Sequence, residues 1–191
     1  MESPEMKRKT GTSPSASPEL AWSHLAQDIP QTGLSEVRES TPDERARVSD
    51  ALDLVACASL QAQYMITPTA GGCYRLAGRI RAQISQTCVV SLESVDSTIE
   101  ESFEAVFWPQ DRMPEPEKGE LAIDDEPERE AIVAGQIAVG RVVFESLAAA
   151  LDPFPRKPGA ALDWQEAPSA DSAGDKAANP FAVLANLKPK S

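Results

Sequence analysis

The stretch Tyr74-Arg75-Leu76-Ala77-Gly78-Arg79-Ile80-Arg81-Ala82-Gln83-Ile84 decides the fold, because its side chains change polarity with a period of two. Tyr74, Leu76, Gly78, Ile80, Ala82 and Ile84 share one parity, and Arg75, Ala77, Arg79, Arg81 and Gln83 share the other. Successive side chains of a strand point to opposite faces, so the pattern predicts a strand with one apolar face and one face bearing arginines. Just upstream, Leu60, Ala62, Tyr64 and Ile66 alternate with Gln61, Gln63 and Met65. Between the two runs, Thr67-Pro68-Thr69-Ala70-Gly71-Gly72 is a turn by composition. Two alternating runs joined by a glycine-containing loop predict an antiparallel hairpin.

Further along, Cys88, Val90 and Leu92 share one parity and predict a short strand. Residues 97–108 alternate again, with Ile99, Phe103, Ala105 and Phe107 on the apolar side. Glu101 interrupts that side, and a strand end or bulge is expected there. Two helices complete the core. Thr41-Pro42-Asp43-Glu44 has the spacing of a capping box with proline at the first helical position, and Val48, Leu52 and Val55 carry the stripe over 42–56. Val143, Leu147 and Leu151 mark a second helix from Gly140, stopped by Asp152-Pro153. Order is expected to begin near Leu20-Ala21-Trp22, as an edge strand.

These elements predict an α+β fold: an antiparallel sheet curved towards a barrel, with two main helices, in a single domain over 19–160. Residues 1–18, rich in Ser, Thr and Pro, are expected to form a disordered tail. An acidic connection is expected at 109–131, an Ala/Ser/Asp linker at 161–178, and an anchor segment with a short C-terminal helix at 179–191.

The net charge is −12. Gripping a phosphate backbone over a whole surface needs the opposite sign, so charge favours protein partners or a local RNA-contacting patch. The three cysteines, Cys57, Cys73 and Cys88, are odd in number and form no Cys-x-x-Cys pair. With no secretory core after Met1 and no apolar run as long as a membrane span, a reducing, cytoplasmic setting is expected.

No phosphate-binding loop, dinucleotide fingerprint or nucleophile elbow is present. The single histidine, His24, lies in the irregular N-terminal stretch and reads as a surface residue with no nucleophile in reach. Asp124-Asp125-Glu126 reads as a solvated charge run, and Cys88 as a small buried apolar residue rather than a zinc ligand. The expectation is therefore no catalytic residue, no metal, no cofactor and no small-molecule substrate.

The candidate contact residues are Arg75, Arg79 and Arg81. Residues two apart on a strand lie roughly 6.6–7 Å from one another, comparable to phosphate spacing. The same arginines would equally make an ordinary wet sheet face paired with Glu100 and Glu104. Arg156 and Lys157 are further contact candidates. Asn179, Pro180, Phe181, Leu184 and Leu187 form the anchor candidate, with Phe181, Leu184 and Leu187 on one helical face; it docks either on its own core or in a partner's groove.

The block Tyr74–Glu93, the exit Leu151-Asp152-Pro153-Phe154-Pro155-Arg156-Lys157-Pro158-Gly159 and the end Asn179-Pro180-Phe181-Ala182-Val183-Leu184-Ala185-Asn186-Leu187-Lys188 together resemble the YceD family of large ribosomal RNA subunit accumulation proteins. The resemblance covers about residues 20–190. It implies a bacterial factor supporting synthesis, processing or stability of 23S rRNA, with ribosomal RNA or rRNA-processing proteins as partners and no enzymatic activity. Many members carry Cys-x-x-Cys in the central block; here Cys88 is followed by Ser91 in the second place. No metal site is carried over.

Overall fold

The computed structural model describes residues 19–113 and 127–161. Tail 1–18, most of the acidic connection including Asp124–Glu126, the linker, and the anchor segment with Asn179, Pro180, Phe181, Leu184 and Leu187 lie outside the described residues.

In chain order the elements are β1 (His24–Leu25), β2 (Leu34–Glu39), α1 (Pro42–Ala51), β3 (Ala56–Pro68), β4 (Tyr74–Thr87), β5 (Ser94–Pro109), β6 (Glu128–Ile132), β7 (Gln136–Ile137) and α2 (Val139–Ala149). Strands β2 to β6 form one sheet in sequence order, and β1 pairs with β7 in a second, two-stranded sheet. The expected α+β class holds. Its antiparallel, barrel-like form is corrected: β2 to β5 are an antiparallel meander, but β6 runs parallel to β5, and the sheet is open with β2 and β6 at its edges.

The hairpin forms as the alternation requires. Ile66 faces Leu76, Ala62 faces Ile80 and Leu60 faces Ala82, all buried. A one-residue slip would turn every one of these side chains into water, at about 1.5–3 kcal/mol for each large aliphatic residue, which pins the register. Gly78 lies at the middle of this inner face. A Cβ there would stand 2.5 Å from the Gln63 carbonyl oxygen, 2.7 Å from Phe103 Cζ and 2.8 Å from Tyr64 Cβ. Tyr64 and Phe103 fill the space that a side chain at 78 would take.

Helix α1 packs on β3, and α2 packs on β5 and β4. The capping box of α1 is complete: Glu44 N–H donates to Thr41 Oγ1 at 3.2 Å, and Thr41 N–H donates to Glu44 Oε2 at 2.8 Å. The helix is shorter than its stripe suggested. Asp53 turns left-handed (φ 52°) just after the cap, and Val55 lies beyond the helix, exposed. The N-terminal segment belongs to the core, with Leu20 and Trp22 buried, and only His24–Leu25 of it is strand. Gly140 N–H donates to the Trp22 carbonyl at 2.8 Å, and Ala26 N–H to the Gly135 carbonyl at 2.8 Å, strapping this segment to the start of α2.

Three further expectations are corrected. Cys88–Leu92 is a turn: Cys88 N–H donates to the Glu93 carbonyl (2.8 Å), Leu92 N–H to the Cys88 carbonyl (3.0 Å), and Leu92 is left-handed at φ 59°. Glu101 marks no strand end or bulge, because β4 and β5 stay in register from Tyr74↔Phe107 to Thr87↔Ser94; the irregularity lies in β3, between Cys57 and Ser59. Order resumes before residue 132, as Glu128–Ile132 is strand β6 rather than connection. Strand β2 was not anticipated from the sequence.

Gly78→Ala is expected to lower stability by about 1–3 kcal/mol, the usual range for overpacking, while Arg79→Ser on the opposite face stays within about 0.5 kcal/mol of wild type. Urea unfolding of both variants measures the difference.

Candidate functional site

Strands β3, β4 and β5 turn the opposite set of side chains to the outer face of the sheet. The rows there run Glu39–Gln61–Arg81–Glu100, Val37–Gln63–Arg79–Ser102 and Met65–Ala77–Glu104. An open groove of about 520 Å³ runs across the middle, lined by Gln61, Gln63, Arg79, Arg81, Glu100 and Ser102. Its walls are amide, hydroxyl, guanidinium and carboxylate groups, a surface rich in hydrogen-bond donors and acceptors.

The three arginines are not equivalent. Arg75 grips Glu104 with two hydrogen bonds, Nε to Oε1 at 2.7 Å and Nη2 to Oε2 at 2.9 Å. The guanidinium holds the Glu104 carboxyl below its usual range, and the carboxylate raises Arg75 in return. Arg81 donates from Nε to Glu100 Oε1 at 2.7 Å, with Nη2 on the same oxygen. Arg79 stands between Gln63 and Ser102 and has no hydrogen bond or ion pair among the described residues. Two of the three positive charges are thus met by carboxylates across the strand. Both pairs are largely exposed, so each contributes little to stability.

Arg156 and Lys157 lie elsewhere, against the β4–β5 turn. Lys157 Nζ pairs with Glu93 Oε2 at 3.0 Å, while Arg156 is exposed. The segment is held from beneath by Cys88. Its sulfur accepts the amides of Val90 (3.4 Å), Ser91 (3.3 Å) and Lys157 (3.3 Å), and Val89 N–H donates to the Pro155 carbonyl at 2.9 Å. Hydrogen bonds from the Ser91 side chain and amide, then from the Lys157 amide, lower the Cys88 thiol to about 6. The expected buried cysteine is buried, but its sulfur acts as an acceptor that pins the 155–157 exit to the turn.

Sequence reasoning missed a polar network at the other side of the sheet. His24 is a held residue rather than a loose surface one: Nε2 lies 2.8 Å from Tyr64 Oη and 3.1 Å from Glu36 Oε2. Tyr64 Oη donates to Glu36 Oε2 at 3.0 Å. Trp22 Nε1 donates to Glu44 Oε1 at 2.9 Å, and the Arg38 guanidinium lies over the Trp22 ring, 5.4 Å from its centre. Burial lowers the His24 pKa against the pull of Glu36, while burial and the hydrogen bond to Glu36 raise that of Tyr64. Burial works to raise Glu44, but hydrogen bonds from Thr41 and Trp22 prevail and lower it. The network ties β1, β2, α1 and β3 together. Among the described residues, no hydroxyl or thiol is hydrogen-bonded to His24 apart from the Tyr64 phenol.

Glu128, Glu130 and Glu145 bring carboxylate oxygens within 4.8 Å of one another. Arg141 already stands among them, with Nη1 3.2 Å from Glu130 Oε2 and Nε 2.9 Å from Glu145 Oε1. Burial raises Glu130, and the neighbouring carboxylates add to the rise. Among the described residues no helix is long and apolar enough to cross a membrane.

Residues 76–188, more than half of the chain, match the family described as Large ribosomal RNA subunit accumulation protein YceD. The match begins at Leu76, near the start of β4, and so takes in Arg79, Arg81, Cys88, Arg156 and Lys157. No curated protein and no solved structure matches the chain.

A titratable group whose folded pKa is depressed has a consequence for stability. Between the folded pKa of His24 and its unfolded value near 6.5, the unfolded chain binds more protons. The contribution of the neutral imidazole is complete above about pH 6.5 and is lost as the pH falls below it. The stability difference between wild type and His24→Gln is therefore expected to shrink from pH 7.5 to pH 5.5 in paired urea titrations.

Proposed function

The chain belongs to the YceD family, and from that premise we propose that it is a cytoplasmic, non-catalytic ribosome-biogenesis factor supporting synthesis, processing or stability of 23S rRNA. The family match carries this reading. In this reading the outer sheet face is the contact surface, with Arg79, which has no ion pair among the described residues, as its cation and the groove amides of Gln61 and Gln63 as hydrogen-bonding groups. Arg156 and Lys157 form a second, smaller basic point.

The charge balance of the face sets the kind of contact. Since Arg75 and Arg81 already meet carboxylates, only Arg79 is left to neutralise a phosphate at no cost in broken pairs. One phosphate contact gives a salt slope of about −0.7 to −0.9, far from the steep dependence of a basic RNA-binding groove. Contact of this kind works through hydrogen bonds and shape.

That neutralisation also favours a second reading. An acidic adaptor would recruit a basic ribosomal protein or a nuclease, with Asn179, Pro180, Phe181, Leu184 and Leu187 as its anchor. Association with partners that survives nuclease and high salt, and is lost on deleting residues 179–191, belongs to the adaptor.

Deleting the gene is expected to lower the 23S:16S rRNA ratio, and the intact chain should restore it. A ratio unchanged across growth conditions would overturn the reading.

A further inference from the structure

Strand β2 ends the five-stranded sheet, and its second edge has no neighbour among the described residues. In an antiparallel pair the residues alternate between hydrogen-bonded and non-bonded positions. Ser40 N–H donates to the Leu60 carbonyl at 2.9 Å, which sets that phase. Arg38, Glu36 and Leu34, opposite Ala62, Tyr64 and Ile66, turn their backbone groups towards β3. Ser35, Val37 and Glu39 turn theirs the other way. All three are exposed, Val37 by 57%, although it is an apolar residue at the centre of the edge.

Open edges are usually blunted by proline, by a bulge or by charged side chains, inward-pointing ones included. Strand β2 has no proline, and its register with β3 runs unbroken from Leu34↔Ile66 to Glu39↔Gln61, so its charges, Glu36, Arg38 and Glu39, decide what the edge accepts. Its sequence, Ser35-Glu36-Val37-Arg38-Glu39, is self-complementary when laid antiparallel on itself about Val37. Val37 then meets Val37 of the second copy, Ser35 meets Glu39, and Glu36 meets Arg38 twice. The same register places the outward backbone groups of 35, 37 and 39 against one another, as hydrogen bonding requires. A shift of one residue breaks that phase. A shift of two sets Glu36 against Glu36, or Arg38 against Arg38.

Glu36 is fixed by Tyr64 and His24, and Arg38 by the Trp22 ring, so pairing orders little that is not already ordered. We propose that β2 pairs with β2 of a second copy of this chain, antiparallel about Val37, joining two open sheets into one of ten strands. The two-fold axis keeps both sets of helices on one side and places the two arginine faces side by side on the other. A single edge contact is smaller than the roughly 1,200 Å² of a stable standard interface, so the association is concentration-dependent. The proposal stands independently of the function above.

Sedimentation of the full chain over a concentration series tests it. Wild type is expected to move between monomer and dimer. Glu36→Arg and Arg38→Glu each set like charges opposite and should weaken the dimer at least tenfold, while an equimolar mixture of the two should associate again. Because both residues also make contacts within the chain, a second arm uses Val37→Cys on the outer face. Opposed bonded positions have Cα atoms about 5.5 Å apart, within disulfide range, whereas Cys at position 35 would stand about 14 Å from its copy. Mild oxidation should therefore link Val37→Cys and not Ser35→Cys. A wild type that is monomeric at every concentration, a mixture that fails to associate, or equal crosslinking of the two cysteine variants overturns the proposal.

Discussion

The absence of a side chain at Gly78 is the constraint on which the rest of the structure depends. Three strands meet at that point, and Tyr64 from β3 and Phe103 from β5 close over it. With both rings seated, the inner face of the sheet is filled and the two helices have a continuous apolar floor. The Tyr64 hydroxyl is at the same time delivered to Glu36 and His24, so a packing decision on β4 fixes a polar network that reaches β1 and β2. The opposite parity of β4 then presents Arg75, Arg79 and Arg81 outward without further instruction.

That coupling explains which parts of the fold were legible in sequence. The β3–β4 hairpin follows from strict alternation, and the start of α1 from its capping box, because both signals are local. Strand β2 was hidden because its inward positions, Leu34, Glu36 and Arg38, include two charges. Those charges are satisfied by Tyr64, His24 and Trp22, partners far away in the chain. The same distance made His24 look loose. In the turn at 88–92 the parity of Cys88, Val90 and Leu92 imitated a strand, but a sulfur accepting three amides and a left-handed Leu92 hold it closed. Glu130 fell within the expected acidic connection, and the position of Arg141 on α2 meets the charge of its buried carboxylate.

The candidate contact surface was half legible. The arginine parity placed Arg75, Arg79 and Arg81 on one face, together with Glu100 and Glu104. The reading of a wet face paired with Glu100 and Glu104 was legible too; what parity could not say is that Glu104 takes Arg75, Glu100 takes Arg81 and Arg79 is left over, which depends on the β4–β5 register. The chain's negative charge and this local neutralisation agree. Contact through this face, as proposed, would be polar and directional rather than driven by a strong positive field.

The proposed function has this member of the family reach large-subunit rRNA through the outer face of its sheet. Crosslinking the intact chain to RNA in cells, and mapping both the nucleotides and the amino acids joined, tests that claim most directly. Crosslinks from Gln61, Gln63, Arg79 or their neighbours to 23S rRNA are the expected result. Crosslinks confined to other parts of the chain, or the absence of 23S rRNA among the joined RNAs, would contradict it.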